Sequence, residues 1–234
     1  MCAACLRRLE PLDAEFFCVT CRTPFQNRFP LDEHGQCALC RAGLRGFDAA
    51  YSFGAYEGAL RELIHIYKYG KVRTLARPLG NLLARALARD ERYDLVTPVP
   101  LHWRRRWQRG FNQAELLARE IARHSGIVFQ RTLRRVRSTA VQAGLSNTAR
   151  RRNVTSAFAC RRALRHGALD GRRILLIDDV MTTGSTAAAC ARVLKDAGAA
   201  RVALLTVARV DRRMDFTPRT AAHRQSVSIE REAL

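Results

Sequence analysis

A short aliphatic run constrains the fold of this chain more than any other feature. Residues 174–177 read Ile-Leu-Leu-Ile, so a strand there would be apolar on both faces. A strand buried on both faces belongs in the middle of a parallel sheet that is covered by helices on each side. The run therefore predicts an α/β fold with a doubly wound, mainly parallel sheet.

Strand and helix patterns alternate on both sides of this run. We predict extended segments at 50–56, 95–99, 154–158 and 202–207, and helices at 60–70, 75–87, 112–124 (with Asn112 as its cap) and 186–197. This alternation supports the doubly wound sheet. We expect a cysteine-rich module at 1–45, the α/β domain at 46–212, and a polar, disordered tail at 213–234.

Six of the eight cysteines form Cys-x-x-Cys pairs near the N-terminus, namely Cys2/Cys5, Cys18/Cys21 and Cys37/Cys40. Two residues between thiolates let one turn present both sulfurs to a tetrahedral Zn²⁺, and a second turn completes the shell. Because six ligands do not divide into fours, one pair is spare, half of a second site, or joined by His34. Disulfides are the alternative, but nothing in the sequence indicates an oxidising compartment. The pattern favours a structural zinc ribbon.

The two isolated cysteines and the net charge lead to separate predictions, about burial and about ligands. Cys160 and Cys190 are predicted to be small buried apolar residues. The net charge is +20, and residues 96–169 hold 16 arginines but only two acids, which indicates phosphorylated or polyanionic ligands. The longest aliphatic run is far shorter than the ~20 residues of a membrane span, and no secretory signal is visible. We therefore expect a cytoplasmic protein without membrane insertion.

The segment after the aliphatic run carries the chemistry. Two acids, Asp178 and Asp179, precede a small hydroxylated loop made of Thr182, Thr183, Gly184, Ser185 and Thr186. In open α/β sheets ligands bind beyond the carboxyl ends of strands. Backbone N–H groups, hydroxyls and a helix dipole favour a phosphate there, while paired carboxylates suit a sugar diol. The alternative is an ordinary capped helix after a core strand. The common glycine-rich phosphate motifs are absent.

This segment resembles the 5-phosphoribosyl-1-pyrophosphate (PRPP) motif of type I phosphoribosyltransferases. The resemblance implies that Asp178 and Asp179 hold the ribose hydroxyls, that residues 182–186 surround the 5′-phosphate, and that Mg²⁺ accompanies PRPP. Some members of that family place an acid at the position of Thr182 to assist the incoming base. This chain has no acid there.

A second resemblance, to the ComF family, extends over residues 1–210. It rests on the cysteine pairs, Tyr67-Lys68-Tyr69-Gly70, Pro98-Val-Pro100, Arg109-Gly-Phe-Asn-Gln113 and the two acids. Members of that family are linked to natural competence and to the use of external DNA, which implies DNA-uptake proteins as partners. Members often carry four cysteine pairs, whereas this chain starts at what resembles the second. The resemblance thus favours Cys18, Cys21, Cys37 and Cys40 as the intact site.

Cationic residues next to these motifs leave two functions open. Lys68, Arg104, Arg105, Arg106 and Arg109 are candidates for contacting pyrophosphate or nucleic acid. Trp103 and Trp107 alternate with the arginines, as in surfaces that stack single-stranded bases, or else a helix buries both. The first function is a PRPP-dependent transferase with an unidentified acceptor. The second is a zinc-ribbon protein that binds single-stranded DNA and has a sensory or vestigial PRPP site.

Overall fold

A computed structural model describes residues 8–12, 14–25, 28–43, 46–88, 90–101, 107–136, 157–161, 167 and 169–210. Its strands are β1 (Phe16–Phe17), β2 (Pro24–Phe25), β3 (Ala49–Ala55), β4 (Leu95–Pro98), β5 (Val128–Phe129), β6 (Leu133–Arg135), β7 (Phe158–Cys160), β8 (Arg173–Met181) and β9 (Arg201–Arg209). Its α-helices are α1 (Ala38–Arg41), α2 (Gly58–Tyr69), α3 (Ala76–Ala86), α4 (Gln113–Ser125) and α5 (Ser185–Asp196).

Five strands form a parallel sheet in the order β3-β9-β8-β4-β5. The aliphatic run at 174–177 is fully buried at its centre, which confirms the predicted sheet. From β4 the chain continues to β5 at one edge, whereas from β8 it continues to β9 on the other side. The strand order therefore reverses between β4 and β8, and in open α/β sheets ligands bind at the carboxyl ends of the strands at such a point.

Helices cover both faces of this sheet. Alternate residues of β8 belong to two separate core clusters, because successive side chains in a strand point to opposite faces. Helices α2, α3 and α4 pack on one face and α5 on the other. A Cβ on Gly80 would lie 2.5 Å from the Cβ of Glu120, so α3 and α4 need glycine at their closest approach.

Two predicted details differ from the structure. Strand β8 continues past the two acids to Met181, because it still pairs with β9 after its pairing with β4 has ended. Asn112 occupies the N-cap position of α4, but its side chain makes no cap. Its amide donates to the carbonyl of Val99 at 3.1 Å and so fastens α4 to the end of β4.

The strand expected at 154–158 overlaps the described residues only at 157 and 158, and strand β7 begins at Phe158. Strand β7 pairs antiparallel with β6 in a separate two-stranded sheet, and residues 154–156 lie outside the described part of the chain. Cys160 and Cys190 are buried, as predicted. Within the described residues, no helix is long and apolar enough to cross a membrane.

The cysteine module, by which we mean described residues 8–43, packs against the α/β domain. Cys18, Cys21 and Cys37 belong to the same buried cluster as the alanines of α5. The backbone N–H of Leu12 donates to the carbonyl of Phe53, which covers part of the sheet edge at β3. The predicted tail at 213–234 and residues 1–7 lie outside the described part, so the boundaries of the three segments remain predictions.

Candidate functional site

The two acids lie at the point where the strand order reverses. Pairing of β8 with β4 ends at Ile177, and Asp178 and Asp179 follow directly. Lys68, in the last turn of α2, places its Nζ 2.8 Å from an Asp179 oxygen, and both side chains are largely buried. The backbone N–H of Asp179 donates to Asp178 Oδ1 at 2.9 Å. Each acid therefore has a different partner, a cation for Asp179 and an N–H group for Asp178.

Burial makes Asp178 an unusual carboxyl group. Desolvation, followed by the charge of Asp179, raises the pKa of Asp178 to about 7. The N–H of Asp179 and the charges of Lys68 and Arg109 oppose this rise. Near neutral pH Asp178 therefore exchanges between its acid and carboxylate forms. A ligand that donates hydrogen bonds would favour the carboxylate.

The hydroxyl loop, residues 182–186, connects these acids to α5. Thr182, Thr183 and Thr186 are exposed, and Ser185 is half-buried. Gly184 has a φ of 76°, in the left-handed region that favours glycine. Because Gly184 is also the N-cap residue, no N-cap side chain can satisfy the first N–H groups of α5. The loop thus offers hydroxyl groups and a helix N-terminus on the surface, where an anion can reach them.

A cationic cavity of about 300 Å³ lies beside the acids. It is lined by Lys68, Tyr69, Lys71, Gln108 and Arg109. Lys68 connects this cavity to the acids, since it both lines the cavity and pairs with Asp179. The guanidinium of Arg109 lies 4.9 Å from the centre of the Tyr69 ring. Two predicted cations, Lys68 and Arg109, are therefore brought to one place.

Of the other arginines and tryptophans singled out in the sequence, four lie outside the described residues and one is placed differently from one of the predictions. Arg104, Arg105, Arg106 and Trp103 fall outside the described residues. Trp107 is 87% exposed, so the interpretation in which a helix buries both tryptophans is wrong for Trp107.

Sequence reasoning missed the pairing of Lys68 with Asp179 and the buried side chain of Gln113. Gln113 Oε1 accepts from Arg109 at 3.3 Å, while its amide nitrogen has no hydrogen-bond partner among the described residues. The scarcity of lysine, with three in the chain, was the signal available for Lys68.

The cysteine cluster consists of Cys18, Cys21, Cys37 and Cys40, whose sulfurs all lie within 4.8 Å of one another. Two of the sulfur pairs, Cys18/Cys40 and Cys21/Cys37, are 3.7 Å apart. A tetrahedral zinc with Zn–S bonds of ~2.3 Å requires sulfurs ~3.8 Å apart, so the cluster has the dimensions of a zinc site. The backbone N–H of Cys37 also donates to Cys18 Sγ at 3.3 Å.

Other predicted ligands do not join this cluster. His34 is exposed, lies beside Glu33 and is not part of this cluster, so the option that it joins the remaining cysteine pair stays a prediction. Cys2 and Cys5 lie outside the described residues. The four clustered cysteines could therefore hold one zinc ion by themselves.

Comparison with known proteins connects this geometry to a family. The family model for the phosphoribosyl transferase domain matches residues 109–225. Competence protein F of Haemophilus influenzae is 30% identical over 216 residues, which cover 89% of this chain and 90% of that protein. The DNA utilization protein YhgH of Salmonella typhi is 34% identical over 173 residues, covering 71% of this chain and 74% of that protein.

One solved structure, that of the allosteric regulatory enzyme of purine biosynthesis, is 24% identical with a TM-score of 0.41. The match covers 58% of this chain and 26% of that one, so the chain spans about a quarter of that structure's length. The relatives match along most of both chains, and the family model covers the hydroxyl loop and both acids. The chain therefore belongs to the ComF family and contains its domain of the type I phosphoribosyltransferase kind.

Proposed function

We propose that this chain binds PRPP together with Mg²⁺ and acts as a phosphoribosyltransferase on a nitrogen nucleophile. One observation carries the proposal. Two acids lie where the strand order of the sheet reverses, Lys68 forms an ion pair with one of them, and a loop of exposed hydroxyl groups follows directly in the chain. Paired carboxylates match a ribose diol, and the loop matches a phosphate monoester. A pentose phosphate presents both groups at once.

The acids would bind the sugar as hydrogen-bond acceptors. The 2′- and 3′-hydroxyls of ribose would donate to Asp178 and Asp179, and Asp178 accepts such a hydrogen bond more strongly when it is ionised. Since the pKa of Asp178 is raised to about 7, we expect PRPP to bind more tightly at pH 8 than at pH 6. Lys68 orients the neighbouring carboxylate of Asp179 through their ion pair.

The cationic cavity would receive the pyrophosphate end of the substrate. Transfer breaks the bond between C1 and pyrophosphate, and negative charge develops on the departing oxygen. Lys68, Lys71 and Arg109, which line this cavity, would stabilise that charge. When bound with PRPP, Mg²⁺ would neutralise part of the same charge. The protein contributes mainly positioning and electrostatic stabilisation.

The relatives suggest where this activity belongs. Competence protein F and the DNA utilization proteins are named for the uptake and use of DNA. We place this chain in the same process, with DNA-uptake proteins as its partners. A location in the cytoplasm is part of the same proposal, since cysteine pairs that bind zinc are typical of a reducing compartment.

Calorimetry with PRPP and Mg²⁺ tests the site. We expect binding to wild type and its loss in the double variant Asp178→Ala/Asp179→Ala. Glu62→Gln, which removes an exposed acid from α2, is the matched control and should bind as wild type does. Equal binding by the double variant would remove the proposed site. Release of pyrophosphate on addition of candidate bases then separates an enzyme from a PRPP sensor.

A second function, binding of single-stranded DNA, is favoured by the exposed aromatic surface around the cavity. Trp107 is 87% exposed and Tyr69 is 58% exposed, and Arg109 and Lys71 lie beside Tyr69. Exposed rings among cations can stack bases and hold phosphates. We expect Trp107→Ala to weaken binding of an oligonucleotide about 5-fold or more, since stacking contributes ~1–3 kcal/mol per base.

Fluorescence anisotropy of a labelled oligonucleotide, measured at several salt concentrations, tests this second function. The affinity should fall steeply as salt rises. Phe29→Ala is a suitable control because it removes a 77% exposed ring from the cysteine module, distant in sequence from the cavity. If both variants bind as wild type does, the aromatic surface has no part in binding DNA.

A further inference from the structure

The turn that supplies two of the four clustered sulfurs also contacts the hydroxyl loop. Helix α1 is a single turn, Ala38–Arg41, with Cys37 as its N-cap residue, and Leu39 lies between the two cysteines of this pair. A Cβ built on Gly184 would lie 2.8 Å from Cδ1 of Leu39 and 2.8 Å from Cε of Met181. The Leu39 side chain therefore lies against the backbone of the loop at its left-handed residue.

Further contacts between the cysteine module and the loop run through Phe25. The guanidinium of Arg209 lies 4.0 Å from the centre of the Phe25 ring, and its Nη1 donates to Met181 Sδ at 3.6 Å. Met181 in turn touches the backbone of Gly184. Leu39 and Phe25, both in the cysteine module, thus reach the same residue of the hydroxyl loop by separate routes.

The position of Leu39 depends on the cysteine cluster. A one-turn helix is unstable alone, because nucleation fixes several backbone angles for few hydrogen bonds. Helix α1 has no side-chain cap at its N-terminus. A metal ion bound by Cys37 and Cys40 would hold both ends of the turn, and the apolar side chain between them would be held as well.

We propose that Leu39 is a positioning residue that couples the cysteine cluster to the hydroxyl loop. Metal bound at the four cysteines holds Leu39 against Gly184, which keeps the loop in the conformation that accepts a phosphate monoester. Because coupling between two binding sites is reciprocal, a sugar phosphate on the loop tightens binding of the metal, and we expect the tighter binding to slow release of the metal. The ligand part of this inference rests on the proposed PRPP site, whereas the contact between Leu39 and Gly184 does not.

Hydrogen exchange of the full-length chain tests the coupling without any ligand. In wild type, removing zinc should speed amide exchange in peptides that cover 182–188. Leu39→Ala should show the faster exchange even when zinc-loaded, and Leu39→Met should restore slow exchange. Val19→Ala is the matched control: Val19 lies between the cysteines of the other pair and is 65% exposed. Strand β9, at 201–209, reports whether any variant has unfolded as a whole.

Release of zinc to a coloured chelator tests the reciprocal effect. PRPP should slow zinc release about 5-fold or more in wild type and Val19→Ala, since coupling of 1–3 kcal/mol is typical of linked sites. In Leu39→Ala, PRPP should leave the rate unchanged, while the zinc content remains one per chain.

The outcomes separate this inference from the proposed function. Unchanged exchange at 182–188 in zinc-loaded Leu39→Ala overturns the coupling, whatever PRPP does. Altered exchange without any binding of PRPP supports the coupling and removes the PRPP site. If PRPP binds wild type yet slows zinc release equally in Leu39→Ala, Leu39 does not couple the two sites.

Discussion

Two carboxyl groups, Asp178 and Glu91, respond to their surroundings in opposite ways. Asp178 is desolvated next to another acid, which raises its pKa to about 7. Glu91 accepts hydrogen bonds from Arg201, Tyr51 and Tyr93, and these bonds lower its pKa to about 2 against the cost of burial. A carboxyl group whose pKa is higher in the folded chain than in the unfolded chain destabilises the fold at high pH. A carboxyl group whose pKa is lower in the folded chain stabilises the fold there.

Replacing Asp178 should stabilise the fold above neutral pH. Because the pKa of Asp178 is higher in the folded chain, wild type loses stability as the pH rises from about 4 to about 7. Asp178→Asn cannot ionise, and its carbonyl can still accept the N–H of Asp179. We expect the variant to be about 2 kcal/mol more stable than wild type at pH 8 and nearly equal at pH 4. Urea unfolding at both pH values measures this, and a variant equally destabilised at both would contradict it.

Replacing Glu91 should have the reverse effect. The carboxylate contributes stability above about pH 4.5, and this contribution is lost as the pH falls towards 2. Glu91→Gln should therefore lower the free energy of unfolding at pH 7 by about 1–2 kcal/mol after solvent screening, with a smaller difference at pH 3. Urea unfolding at pH 3 and pH 7 measures both differences. The exposed Glu62→Gln serves as control and should change neither value.

At the scale of elements, the docking of the cysteine module on α5 depends on glycine. A Cβ on Gly46 would lie 2.1 Å from the carbonyl oxygen of Ala188 and 2.9 Å from the backbone nitrogen of Arg192. Both atoms belong to the backbone of α5 and cannot rotate away. The chain after the module therefore reaches α5 at a distance that only glycine allows.

Gly46→Ala should consequently destabilise the protein by about 3 kcal/mol, because the linker must move away from α5. Gly43→Ala is the matched control. Gly43 has a φ of 62° but nothing within 4 Å of a built Cβ, so only backbone strain of ~1 kcal/mol applies. Thermal unfolding of both variants checks this, and equal losses would show that the contact with α5 is unimportant.

At the scale of the whole molecule, the cysteine cluster and α5 share one core. Removing zinc with a chelator should therefore lower the melting temperature of the entire chain in one transition, without melting the module separately. Circular dichroism and near-ultraviolet absorption, followed together during heating, measure this. Adding zinc back is the control and should restore the original temperature. Two separate transitions would show that the module folds independently.

Periodicity predicted most of the fold because it is a local property. Helix α2 has apolar residues on the one face that is buried. The run at 174–177 is apolar throughout because both faces of its strand are buried. The acids and the hydroxyl loop could also be identified from the sequence, since a strand, two carboxylates and a turn of small residues follow one another in the chain. The Cys-x-x-Cys spacing indicated a zinc site, whereas the choice of Cys18, Cys21, Cys37 and Cys40 came from the resemblance, and the distances between their sulfurs came from the structure.

Contacts between distant residues could be decided only by the tertiary structure. The pairing of Lys68 with Asp179, the side chain of Asn112 on Val99, and the exposure of Trp107 each depend on how two elements pack. No local sequence pattern predicts these features, because each depends on elements that are distant from one another in the chain. The sequence by itself determined most of the elements that form and the residues that are candidates for the chemistry, and the packing of those elements decided the partners, pKa shifts and exposure of these residues.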